Sequence, residues 1–309
     1  MKLYYYKTVN PSRNFGDELN LWLWPRILDI FDGCPKNVFI AIGTTINDNL
    51  PRWINDANNV VFFSTGVGYG NAFPPKVQKN WRIYCVRGPL SARRLKLPQT
   101  FAITDGAALL KRYFSPCSSD ERTYKFSYMP HFRHGNPQFF RNICKQLGIH
   151  YIDPAESVEN VISDILKSHV LITEAMHGAI VADTLRVPWL PIRTSPRILP
   201  FKWFDWCESI NVPYRYEVIK GSKQMTWKDS LYSLRLYLQR QSSIRCLFDD
   251  FKVHDSSFDR NLELLAAQLQ AVTQKTPYLS ESSYLESLVV RLEEQLENFK
   301  KDIQRGIFY

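Results

Sequence analysis

Between residues 3 and 192, short runs rich in Val, Ile, Phe and Tyr alternate with turns and with segments of helical period. This alternation limits the fold more than any other feature of the chain. Leu3–Tyr6, Val38–Ile42, Val60–Ser64 and Arg82–Val86 read as strands, and a second series follows at Phe126–Met129, Val170–Thr173 and Trp189–Ile192. Helical patterns lie between them: Asp17–Ile30, a helix opened by Pro89 and running to Lys96, Asn136–Leu147 stopped by Gly148, Ser157–Leu166, and Gly178–Leu185. Pro25 falls inside the first and is expected to kink or shorten it. Strands alternating with helices build βαβ units and hence parallel sheets, so the chain is expected to be α/β. The polar stretch Cys117–Arg122 divides it into two such units, 1–116 and 117–220, followed by a helical extension, 221–309.

In that extension Phe258, Leu262, Leu265 and Leu269 share one helical face. Leu285, Val289, Leu292, Leu296, Phe299 and Ile303 alternate spacings of four and three over about three heptads. Two readings are open for 284–304: a short coiled coil that joins two copies of the chain, or a terminal helix packed on its own body.

The 309 residues carry a formal charge of +9, which favours an anionic partner such as a phosphorylated small molecule or a lipid-phosphate head group. No long Lys/Arg run marks a nucleic-acid tail, and nucleic acid is not expected as a partner. Cys34, Cys85, Cys117, Cys144, Cys207 and Cys246 form no CxxC pair and no zinc spacing; they read as buried thiols of a reducing compartment. Lys2-Leu3-Tyr4-Tyr5-Tyr6 is too short for a secretory h-region, and no apolar run reaches the roughly 18 residues that cross a bilayer. The expected location is cytoplasmic, with room for peripheral association at the inner face of the plasma membrane.

Five segments carry chemistry, each at the end of an expected strand. Asn14-Phe15-Gly16-Asp17 places an acid at a helix start, where backbone N–H groups also face an anion or a hydroxyl; Asp17 either orients a hydroxyl or satisfies the helix end. Thr65-Gly66-Val67-Gly68-Tyr69-Gly70 lets backbone approach a ligand, with Gly66 and Gly68 at the turn. Val86-Arg87-Gly88-Pro89 delivers Arg87, whose planar fork suits a carboxylate or phosphate; its alternative is a structural ion pair. Pro130-His131-Phe132-Arg133-His134 gathers imidazoles and a guanidinium, with no neighbouring acid or thiol to complete a metal site. In Glu174-Ala175-Met176-His177-Gly178, His177 sits at a strand-to-helix turn with Glu174 near enough to orient it. Arg193 and Arg197 follow the next strand and can reach the same edge.

Taken in order, Asn14-x-Gly16-Asp17, Thr65-Gly66-Val67-Gly68, Val86-Arg87-Gly88-Pro89-Leu90-Ser91, Thr104-Asp105-Gly106-Ala107, Pro130-His131, Met176-His177-Gly178, Ala182-Asp183 and Pro188 resemble the polysaccharide pyruvyl transferase family over roughly residues 1–220. Two departures stand out: Gly106 replaces a common proline, and Ala175 stands where many members carry arginine. The resemblance implies two Rossmann-like domains facing a cleft, similar to B-type glycosyltransferases, and a transferase of exopolysaccharide biosynthesis. It implies transfer of a pyruvyl group from phosphoenolpyruvate to a glycan or lipid-linked oligosaccharide, forming a ketal and releasing phosphate, with no cofactor and no metal. The expected catalytic residues are His177, Asp17 and Glu174. Arg87, Asn14, Gly66, Gly68, His131, Arg133, Gly178 and Arg193 are expected to bind substrate. The alternatives are a sugar-nucleotide glycosyltransferase of the same gross fold and a non-catalytic glycan-binding protein.

Overall fold

The computed structural model describes residues 1–7, 13–69, 77–132, 137–195, 198–219 and 262–308. The expectations placed on Gly70, Arg133, His134, Arg197, Cys246 and Phe258 lie outside the described residues. The first sheet runs in the order β1 (Lys2–Tyr4), β2 (Asn37–Ile40), β3 (Asn59–Thr65) and β4 (Trp81–Val86), with every pair parallel. Its connections carry α1 (Phe15–Ile27) and α2 (Leu50–Trp53), and α3 (Pro89–Leu95) follows β4. Helix α1 ends two residues after Pro25, consistent with a ring that removes a backbone donor.

The second sheet has five parallel strands in the order β6-β5-β7-β8-β9. These are β5 (Tyr124–Met129), β6 (His150–Tyr151), β7 (Ser168–Thr173), β8 (Trp189–Arg193) and β9 (Glu217–Val218). Between and after them come α4 (Pro137–Leu147), α5 (Val158–Leu166), α6 (Met176–Thr184) and α7 (Pro200–Ser209). The polar stretch 117–122 lies between β4 and β5.

Parallel strands covered on both faces read as near-continuous apolar runs, and alternate residues then serve different layers. Val38, Ile40, Val60 and Phe62 face Ile46, Leu50, Ala92 and Leu95 on one side of the first sheet. Phe39, Ala41, Val61 and Phe63 face the other, where Leu19, Leu23 and Trp24 of α1 meet Val161, Ile165, Ala179 and Val181 of α5 and α6. This layer of helices is a core common to both sheets. The outer face of the second sheet packs Tyr128, Ile172 and Ile192 against Phe140 and Ile143 of α4 and Leu265 and Leu269 of α8 (Leu262–Val272).

Helix α9 (Ser282–Gln304) settles the two readings of the heptad seam. Leu285, Val289, Leu292, Leu296 and Phe299 are buried in the chain's own core, with Phe299 stacked 5.4 Å from Phe39 and edge-on to Tyr84 at 5.2 Å. Arg112 clamps the exposed side through Glu286 at 2.6 Å and Glu293 at 2.8 Å. Of the two readings, the structure shows the terminal helix packed on its own body, with Phe39 and Tyr84 covering the Phe299 end of the seam. Just before α9, Ser280 donates to Asp183 from its N–H at 2.8 Å and its hydroxyl at 2.5 Å, which anchors the far end of α6.

Cys85, Cys144 and Cys207 are buried free thiols, whereas Cys34 and Cys117 are partly accessible. Among the described residues no helix is long and apolar enough to cross a membrane.

Candidate active site

In open parallel sheets ligands bind beyond the carboxyl ends of the strands. Here both sheets direct those ends at one cavity of about 620 Å³. From the first sheet come Tyr4 at the end of β1 and Tyr6 after it, Asn14 to Asp17 at the start of α1, Gly43 to Thr45, Asn47 and Asn49 after β2, Trp53 of α2, and Tyr69 after β3. From the second come Met129 at the end of β5, His131 and Phe132 after it, Ala175 to His177 after β7, and Lys202 in the first turn of α7.

The starts of α1 and α6 both open on the cavity, and neither Asn14 nor Ala175 caps its helix with a side chain. Uncapped N–H groups and the positive end of the helix dipole favour an anion there. Instead of capping, the Asn14 amide donates to Asp17 Oδ2 at 2.5 Å. Burial pushes the Asp17 carboxyl from 3.8 up to about 6, an effect that the Asn14 hydrogen bond and the positive charges at His177 and Lys202 only partly offset. A carboxyl poised near neutrality can take or give a proton in a catalytic step.

His177 is the second residue of α6, and its side chain is 14% exposed. Its Nε2 is buried without a hydrogen-bond partner and stands 3.6 Å from Oδ2 of the fully buried Asp105. The other carboxylate oxygen of Asp105 accepts the Ala107 N–H at 3.0 Å, which fixes the acid at the start of the 3-10 turn Gly106–Arg112. The opposite edge of the imidazole lies against Gly16. A Cβ at that position would come within 2.1 Å of His177 Nδ1, so only glycine admits the ring. The histidine is therefore held between an acid behind it and a helix start at the cavity wall.

Lys202 is only 8% exposed, lines the cavity, and makes no hydrogen bond or ion pair with any described residue. Its Nζ lies over the Tyr69 ring, 5.7 Å from the centroid. A nearly buried ammonium that no carboxylate of the described residues holds in a direct ion pair, with Asp17 acting on it only through space, suits an anion.

The structure assigns other duties to several residues expected here. Arg87 is fully buried: its Nε donates to Asp205 at 3.1 Å, and its Nη1 donates to Thr44 at 2.8 Å and to the Gly43 carbonyl at 3.3 Å. It does not line the cavity, and the structure shows the structural ion pair of its two readings. Gly66 makes room for that guanidinium, and Gly68 for Thr44; neither lines the cavity. Glu174 is also fully buried behind the wall, where its Oε2 accepts the His131 N–H at 3.2 Å; it positions the His131 loop, not His177. Gly178 lets α6 press against Met129 and Thr173, and Arg193 lies buried over the Tyr216 ring. His177, Asp17, Asn14 and His131 do line the cavity.

Sequence reasoning missed Asp105 as a site residue, although Thr104-Asp105-Gly106-Ala107 was in view. It missed Lys202 altogether, because α7 was not read as a helix. Among the described residues no group of three or more His, Cys, Asp and Glu could hold a metal ion.

Two parallel sheets with a shared cleft that holds a carboxyl, an imidazole and an ammonium define an α/β protein with one candidate site between its sheets. The chain belongs to the polysaccharide pyruvyl transferase family, whose sequence profile matches residues 4–196. It is 36% identical over 216 residues to the succinoglycan biosynthesis protein ExoV of Rhizobium meliloti (strain 1021). That match covers 70% of this chain and 66% of the relative, so the chain spans just under two thirds of that protein. Two structures of the wall teichoic acid polymerase TagF align over 96% and 92% of this chain and 89% and 88% of theirs. Their identities are 12% and 11% and the TM-score is 0.28 for both, too low to carry a structural argument.

Proposed function

We propose that the protein transfers the pyruvyl group of phosphoenolpyruvate to two hydroxyls of one sugar in a polysaccharide or its lipid-linked precursor, in the biosynthesis of an exopolysaccharide. The observation that carries this reading is the nearly buried Lys202, in no direct ion pair among the described residues, in the same cavity as Asp17 and His177. Phosphoenolpyruvate brings a carboxylate and a phosphate, and Lys202 with the starts of α1 and α6 answers both. Ketal formation needs a proton at the methylene carbon, which makes C2 electrophilic. One hydroxyl then adds to C2, the C2–O bond to phosphate breaks, and the second hydroxyl closes the ketal. The two hydroxyl protons end on the new methyl group and on the departing phosphate, so the reaction balances without a redox partner. His177 delivers the first proton, with Asp105 stabilising its imidazolium form. Asp17, ionised above a pH of about 6, receives the protons of the acceptor hydroxyls.

The test is incubation with phosphoenolpyruvate and a panel of neutral oligosaccharides, following phosphate release and the mass of the ketal product, with His177→Ala as control. Acceptor-dependent phosphate release that the control lacks is the expected result. Undiminished ketal formation by His177→Ala would remove the role given to His177. Stabilisation by a nucleotide sugar and none by phosphoenolpyruvate would sink the whole reading.

A further inference from the structure

The wall of the cavity supplied by the first sheet differs in chemistry from the rest. Trp53 is 43% exposed, although it closes a helix whose Leu50 is fully buried. Its ring is stacked on Tyr4, with centroids 6.1 Å apart and planes at 25°. The indole is thus held open at the cavity by a firm mount, Leu50 and Ile54 beneath and Tyr4 alongside. Beside it, Asn47 uses its Oδ1 to accept the Asn49 N–H at 2.9 Å, which leaves the Asn47 amide N–H groups for a ligand. The Asn49 carboxamide makes no side-chain hydrogen bond with any described residue. Tyr4, Asn47, Asn49 and Trp53 carry no charge. The ionisable groups of the cavity at working pH, Asp17, His131, His177 and Lys202, all come from the start of α1 and from the second sheet.

On the strength of the proposed function, we infer that Trp53, Tyr4, Asn47 and Asn49 form the acceptor subsite, and that it takes an uncharged pyranose. A sugar ring offers an apolar C–H face and a rim of hydroxyls. An exposed aromatic face meets the first, and carboxamides, which both donate and accept, meet the second. A purely apolar ligand would leave the two carboxamides without partners when water is expelled. A uronic acid would place its carboxylate on a wall with no cation. Burial raises the Tyr4 pKa, so its phenol stays a neutral donor across the working range.

The experiment reads sugar binding directly, with no donor present. Cellobiose, lactose and a galacturonic acid disaccharide are titrated against the wild-type protein, Trp53→Ala, Trp53→Phe and Asn49→Ala by saturation-transfer NMR. A neutral disaccharide should bind, Trp53→Ala should weaken it roughly tenfold, and Trp53→Phe should stay within about threefold of wild type. Thermal unfolding of each variant checks the fold, and stabilisation by phosphoenolpyruvate should be equal in wild type and Trp53→Ala. Three outcomes would overturn the subsite: no neutral sugar bound by the wild type, binding untouched by both Trp53→Ala and Asn49→Ala, or a uronic acid bound as well as a neutral sugar. Nucleoside diphosphate binding that Trp53→Ala abolishes would reassign the wall to a base. Sugar binding that behaves as expected, without phosphate release from phosphoenolpyruvate, would leave the subsite standing and reject pyruvyl transfer.

Discussion

Asp17→Asn should make this protein more stable and far less active, and the two effects come from one cause. The folded state raises the Asp17 carboxyl from 3.8 to about 6, chiefly by burial. An acid with a raised folded-state pKa binds protons more tightly when folded than when unfolded. Stability therefore falls as pH rises from about 4 to about 6, and above that the full cost of the ionised group is borne. Two pKa units correspond to about 3 kcal/mol at most. Asp17 is only half-buried at the cavity, and solvent screening reduces that to about 1–2 kcal/mol. Asparagine has nearly the same shape, can still accept from Asn14, and carries no charge to desolvate. At pH 7.5 the melting temperature should rise by about 2–4 °C, and at pH 4 the gain should vanish. The assay is thermal unfolding of both proteins from pH 4 to pH 8, alongside acceptor-dependent phosphate release. Turnover should fall by about 100-fold or more, the usual loss on removing a general base. In wild type the rate should decline as pH drops through about 6. A melting temperature unchanged or lowered at pH 7.5 would refute the burial argument. A stabilised variant with near wild-type turnover would refute the proton-transfer role alone.

Two further substitutions test the surroundings. Lys202→Met keeps the length of the side chain and removes its charge; it should raise the KM for phosphoenolpyruvate about 10- to 100-fold with a smaller effect on acceptor KM, and an unchanged donor KM would place the anion elsewhere. Asp205→Ala leaves the Arg87 guanidinium buried without its carboxylate, and denaturant unfolding should show a loss of about 3–5 kcal/mol; a loss below about 1 kcal/mol would show that Thr44 and the Gly43 carbonyl alone suffice for the arginine.

The strands were legible because buried parallel strands leave dense apolar runs, and Val38–Ile42 or Val170–Thr173 need no knowledge of their neighbours. Helix starts were legible where Pro89 or Ser157 marked them. The seam in α9 was visible as a pattern, but heptad spacing does not say what covers it; Phe39 and Tyr84 lie more than 200 residues away in sequence. The site divided in the same manner. Asp17 and His177 are strand-end residues whose positions follow from local pattern. Lys202 stands in no local motif, and Asp105, though part of Thr104-Asp105-Gly106-Ala107, gains its place only because the fold brings His177 beside it. The ion pair of Arg87 could only be left as one of two readings for the same reason. The end of β4 does deliver it toward the cleft, but the carboxylate it meets, Asp205, is 118 residues further on.

That exchange of roles between Arg87 and Lys202 explains why the cleft can be ready-made. Lys202 and Asp205 are three residues apart on α7 and so share a face of that helix. Asp205 is gripped from the first sheet's side by the Arg87 Nε and by the Ser91 N–H and hydroxyl, at 3.1, 2.8 and 2.6 Å. Gly88 has no side chain to keep α7 away, since a Cβ there would lie 2.0 Å from the Asp205 carbonyl oxygen. The same arginine reaches Thr44 and Gly43, which line the cavity beside the aromatic wall. One buried guanidinium thus fixes, through rigid and directional contacts, both the loop after β2 and the helix that carries the free ammonium. A buried ion pair adds little stability compared with apolar packing, but it tolerates few alternative geometries. An arginine spent on ligand could not do this, and a lysine, a point charge on a flexible stem, would hold the framework poorly. The cleft therefore uses its rigid cation to set the distance between the sheets, which leaves its flexible one available for the donor that we propose.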